Sequence, residues 1–146
     1  MTVKEFVEGF KKSAQKEKYM SSHIINTYIP WEKKVDVCEA IVKATTHIEI
    51  DGHKKYCINS PAQYVLYSLK MIKLYTDIEI DESANVLTIF NFLDKEGVFD
   101  VLLQVLPESE MTKMDTIFKM VQKDNYDNER NISSVIEDIF SVLSKQ

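Results

Sequence analysis

Apolar and polar positions alternate along the chain with a helical period, interrupted once by a period of two. Val3, Phe6, Val7, Phe10 and Ala14 fall on one face with Lys and Glu opposite, the i, i+3, i+4 spacing of an amphipathic helix. Thr2, with Glu5 three positions on, forms a capping box, so a first helix is predicted from Thr2 to about Lys16. A less regular stretch follows, YMSSHIINTYIP, read as a short helix and an extended piece. Pro30 sits where a second helix can begin, since a first-turn residue needs no N–H. Trp31, Val35, Cys38, Ile41 and Val42 mark its expected buried face.

The period of two comes next. HIEI and HKKY flank Asp51-Gly52, a dipeptide suited to a type I′ turn because both central residues of that turn need positive φ. His47 and Glu49 alternate with Ile48 and Ile50, as in a half-exposed strand. Ser60-Pro61, with Gln63 able to reach back, is a helix start. The helix it opens is apolar nearly all round (Ala62, Val65, Leu66, Leu69, Met71, Ile72 and Leu74, with Tyr64, Tyr67 and Tyr75). Such a helix belongs at the centre of its domain.

Asp81 is placed to cap a further helix carrying Ala84, Val86, Leu87, Ile89, Phe90 and Leu93, and Gly97 to stop it. VFDVLLQVL continues as a short helix that ends before Pro107. Met111, Met114, Ile117, Phe118 and Val121 predict another helix, KDNYDNERN a polar break, and Ile132, Val135, Ile136, Ile139 and Leu143 a last helix. The expected fold is mainly α: one domain over residues 1–146, a bundle of about six helices with one small β-hairpin around Asp51-Gly52.

Few residues invite a chemical reading. His47, His53 and Cys57 form H-x5-H-x3-C, whereas zinc sites draw paired ligands that converge on one point. Across a type I′ turn the two histidines do not converge with Cys57, and no motif orients Cys57 as a nucleophile. Asp124 to Glu129 is rich in oxygen ligands, but a calcium loop started at Asp124 would need Gly at Glu129 and Glu at Val135. With glycine only at positions 9, 52 and 97, no phosphate-binding glycine loop exists. Asp77, Glu79, Asp81 and Glu82 cluster and could hold a cation, but they more simply favour the N-terminal dipole of the following helix. No catalytic, cofactor-binding or metal residue is therefore assigned, and no cofactor is expected. Tyr28, Ile29 and Trp31, gathered around Pro30, are the candidate partner-binding residues, because Trp and Tyr dominate interface hot spots. The alternative is that they pack this segment onto the core.

Charge sharpens the question of partners. The net charge is −5, divided unevenly: residues 1–75 carry 12 Lys and 8 acidic residues, and residues 76–146 carry five Lys, one Arg and 15 acidic residues. The resulting +4 and −9 halves can pair within one chain or stack head to tail with copies or neighbours. The acidic half makes nucleic acid a poor partner. No run of about 18 apolar residues is present, so no membrane span is expected. The N-terminus reads as an amphipathic helix and not as a secretory leader, which predicts an intracellular product. Cys38 and Cys57 both lie among apolar neighbours and are expected as buried thiols. Seventeen of the 18 basic residues are Lys and Ile occurs fifteen times, a bias expected of an AT-rich genome.

Four stretches, TYIPWEKKVDVCEAIVKAT, INSPAQYVLYSLKMIKLYTDIEID, FNFLDKEGVFDVLLQVLPESE and DNYDNERNISS, together resemble a family of small proteins encoded by tailed phages and prophages of low-GC Gram-positive bacteria. The resemblance covers nearly the whole chain in order. It implies a place among virion morphogenesis genes and carries no site residues, because members have no assigned activity. The expectation is a non-enzymatic virion structural or assembly protein, in the head–tail or tail region, present in the virion or in the host cytoplasm during assembly. It would contact phage structural proteins or itself, in the latter case as a homo-oligomeric ring. The alternative expectation is an accessory protein that binds and inhibits a host defence enzyme.

Overall fold

The computed structural model describes the backbone of residues 1–81 and 83–144, with side chains except those of residue 51, residues 53–56 and residues 126–139. The fold is mainly helical: α1 (Val3–Lys12), α2 (Lys16–Ser22), α3 (Trp31–Thr45), β1 (Thr46–Asp51), β2 (His53–Ile58), α4 (Ser60–Tyr75), α5 (Val86–Asp94), α6 (Val98–Val105) and α7 (Glu108–Ser144).

Helix α1 starts as its sequence requires. The Thr2 hydroxyl accepts from Glu5 N–H and the Glu5 carboxylate accepts from Thr2 N–H, both at 3.1 Å. It stops at Lys12, four residues earlier than expected, and leaves Ala14 exposed. Tyr19 of α2 explains the close fit that follows: its hydroxyl donates to the Phe6 carbonyl at 3.1 Å and its ring lies over Gly9. A Cβ at Gly9 would stand 2.7 Å from Tyr19 Cζ, closer than packed carbon atoms approach.

One connected set of buried side chains runs from Phe6 on α1 to Ile117 on α7, with Leu69, Met71, Ile72 and Tyr75 of α4 in its middle. The central placement expected of α4 is therefore observed. Its cap is Asn59 and not Ser60: the Asn59 side chain accepts from Ala62 N–H at 3.1 Å, and Pro61 occupies the second helical position. Gln63 does not reach back. It is buried, and its Nε2 has no hydrogen-bond partner among the described residues.

Asp81 likewise does not cap α5. It accepts from both the Ser83 N–H and hydroxyl, which hold its carboxyl below the usual range, and Asn85 caps the helix through Thr88 N–H. Gly97, at φ 73°, donates to Asp94 O after α5 and then begins α6, so one left-handed residue turns the chain between them. Helix α6 ends ahead of Pro107 as expected.

The polar break expected at KDNYDNERN is absent: α7 continues through it for 37 residues, about 55 Å at 1.5 Å per residue. Asp, Asn, Glu and Lys have only modest helix penalties, and without Gly or Pro nothing in that stretch forces a stop. The side chains of Tyr126 to Glu129 and of Ile132, Val135, Ile136 and Ile139, to which the calcium-loop and last-helix readings referred, lie outside the described residues.

Candidate functional site

Helix α3 buries Cys38, Ile41 and Val42 as its pattern suggests, with Lys34 and Thr45 taking the buried places expected of Trp31 and Val35. Lys34, Cys38, Ile41, Val42 and Thr45 are buried, while Trp31 is 50% exposed and Val35 only half-buried. Both sets obey helical spacing, and the observed one places a lysine inside. Burying an ammonium is costly unless it is paired and hydrogen-bonded. Here the partner is Glu110, in the first turn of α7, whose carboxylate lies 2.8 Å from Lys34 Nζ with both side chains at most 3% exposed.

Two further donors converge on the same Glu110 oxygen. Tyr75 OH, at the end of α4, donates at 2.8 Å, and the backbone N–H of Ile29 donates at 3.2 Å. Burial by itself would raise the Glu110 pKa, but Lys34, Tyr75 and Ile29 outweigh it and hold the carboxyl below its ordinary value. The Tyr75 hydroxyl is pushed strongly up, first by burial and then by its bond to Glu110. One carboxylate thus ties together α3, α4, α7 and the segment entering α3.

That segment carries the three aromatic and apolar residues expected to meet a partner. It is pinned first along the end of α4: Ile25 N–H donates to Tyr75 O at 2.9 Å, and the Asn26 side chain donates to Leu74 O at 2.9 Å. Ile29 then inserts into the core and is 5% exposed, so it anchors the segment. Tyr28 and Trp31, on either side, are 61% and 50% exposed. The inner face of the Tyr28 ring covers the Lys34 ammonium, with Nζ 4.9 Å from the ring centroid, within cation–π range. Tyr28, Ile29 and Pro30 border a groove of about 440 Å³ whose lining includes Lys33, Val37, Lys70 and Lys73 and, among the described residues, no acidic one. Neither Lys34 nor Glu110 stands out in the sequence, since each reads as an ordinary charge on a solvated helix face.

The remaining candidates fall as follows. Cys38 is buried against Met114, with the sulfurs 3.7 Å apart, and burial pushes its thiol up to about 11. Cys57 is only half-buried, on β2, and neither cysteine is in a disulfide. Asp77, Glu79 and Asp81 have separate partners in His23 at 3.1 Å, the N-terminal ammonium at 4.0 Å and Ser83. Glu82 lies outside the described residues, as does the His53 side chain.

The hairpin departs from its expected register. A two-residue Asp51-Gly52 turn would pair Ile50 with His53 and His47 with Tyr56. The observed pairs are Ile50 with Lys54 and His47 with Cys57, and only Gly52 has positive φ. A slip of one residue exchanges the two faces of one strand relative to the other, so His47 and Cys57 now stand directly across from each other. The isoleucine face gains little cover: Ile48 and Ile50 are 37% and 76% exposed.

Comparison with protein-family models, with curated proteins and with solved structures finds no match. No helix among the described residues is long and apolar enough to cross a membrane.

Proposed function

We propose that the protein is a phage virion structural or assembly protein, of the head–tail or tail region, that works by contact with other proteins through the surface around Tyr28 and Trp31. The observation that carries the reading is the pair of exposed aromatic side chains on a segment fixed from beneath by the buried Lys34–Glu110 pair. Rigid aromatic anchors are favourable at an interface because little conformational freedom remains to be lost on binding.

The groove beside Tyr28 adds a preference for charge. Lys33 and Lys70, in a groove lined by no carboxylate among the described residues, suit an acidic partner segment, and the −9 half of this chain shows one source of such segments. A second copy, docked head to tail, is therefore one partner this surface can take, and a ring results if the rotation closes. The basic sign of the groove also supports the assembly reading over an inhibitor that fills a basic cleft of a host enzyme with an acidic surface. Mass spectrometry of purified virions, with copies counted per particle, tests the proposal. The expected result is a fixed copy number in virions or in an assembly intermediate, and absence from both contradicts it.

A further inference from the structure

We infer that the hairpin carries a zinc-type metal site formed by His47, Glu49 and Cys57. The three ligand atoms, an imidazole nitrogen, a carboxylate oxygen and a thiol sulfur, all lie within 4.8 Å of one another. They form the only such cluster among the described residues.

The backbone accounts for the convergence. His47 and Glu49 are two apart on β1 and so share a face, and the observed register places Cys57 of β2 directly opposite His47. His47 Nε2 and Glu49 Oε1 are already 3.2 Å apart. With metal–ligand bonds of about 2.0–2.3 Å, ligand atoms around a tetrahedral zinc stand roughly 3.3–3.8 Å from one another. The nitrogen–oxygen separation meets that value, and the sulfur reaches it through a shift of about 1 Å, within the scope of a side-chain rotation.

The donor set identifies the class of ion. A nitrogen, a sulfur and one carboxylate oxygen suit zinc and its neighbours among the divalent transition metals, whereas calcium and magnesium require oxygen shells. Three protein ligands leave a fourth position for water. On binding, the Cys57 S–H bond breaks, a sulfur–metal bond forms, and the proton passes to solvent.

The fold gives such an ion something to do. An isolated two-stranded hairpin is marginal in water, and the isoleucine face of this one is largely uncovered. An ion held by His47 and Glu49 from β1 and Cys57 from β2 would bridge the strands near their base and stiffen the projection as a whole. This inference does not depend on the proposed contact surface at Tyr28 and Trp31.

The test is titration of the metal-free protein with cobalt(II), followed by absorbance, then displacement with zinc. The expected result is a thiolate-to-cobalt charge-transfer band that saturates at one ion per chain, with release of one proton. The band should be lost in Cys57→Ser, require at least tenfold more cobalt in His47→Ala, and persist in Cys38→Ala. Zinc should also slow amide exchange across residues 46–58 in the wild type and not in Cys57→Ser. A missing band, a band unchanged by Cys57→Ser, or one ion shared by two chains would overturn the inference.

Discussion

Lys34 Nζ and Glu110 Oε2 stand 2.8 Å apart with almost no solvent access, joining the first turn of α3 to the first turn of α7. The pair lies at the buried face of α3 that also carries Cys38, Ile41 and Val42, while Trp31 remains outside. It also fixes the segment that presents Tyr28.

Breaking the pair from one side leaves a buried charge without its partner. Glu110→Gln and Lys34→Met should each destabilise the protein by about 3–5 kcal/mol. The double variant Lys34→Met/Glu110→Leu removes both charges and should recover much of that loss, although Tyr75 OH and Ile29 N–H then lose their acceptor. Chemical denaturation of the four proteins measures the coupling, and additive losses would show that the two charges act independently.

The same carboxylate predicts a pH dependence. The folded state depresses the Glu110 pKa, so the unfolded chain binds the proton more readily. The stabilisation is therefore complete above the unfolded carboxylate value of about 4.3 and is lost as pH falls through the lower folded value. The stability difference between wild type and Glu110→Gln should be constant from pH 6 to 7 and shrink as the solution is acidified below about pH 4. Denaturant midpoints across that range provide the check, and a difference that grows with acid would contradict the assignment.

The sequence disclosed much of this architecture because most elements follow from local rules. The Thr2–Glu5 capping box, the apolar α4, Gly97 between α5 and α6, and the end of α6 ahead of Pro107 are all found where pattern and backbone chemistry put them. The misplacements have specific causes. Asn59 outcompetes the adjacent Ser60 as a cap, and α5 begins later than expected, so that Asn85 and not Asp81 caps it. The stretch KDNYDNERN stays helical because polarity alone does not end a helix. The burial of Lys34 could not be seen locally, since its counter-charge lies 76 positions away and only the packed fold brings the two together. Of the expected contact residues, Tyr28 and Trp31 are exposed, while Ile29 is part of the core. The His47–Cys57 pairing was hidden by a one-residue difference in turn geometry.

If copies associate through the basic groove and the acidic half of a neighbour, ionic strength should govern assembly. Exposed charges are screened over about 8 Å at physiological salt, so the sedimentation coefficient of the wild type should fall between low and high salt. Trp31→Ala should weaken association further at every salt concentration, because the aromatic contact is not screened. A monomer under all conditions excludes self-association and leaves contact with a different protein as the remaining form of the proposal.

Affinity capture from cells in which a phage is assembling tests whether the Tyr28 and Trp31 surface binds a virion component, as proposed. Tagged wild type is compared with Tyr28→Ala/Trp31→Ala, after circular dichroism has shown the variant to be folded. The wild type should recover a phage structural protein, or untagged copies of this chain, stoichiometrically, and the double variant should recover at least tenfold less, about 1.4 kcal/mol or more. Equal recovery by both proteins, or capture of a single host enzyme in place of any virion protein, would contradict it.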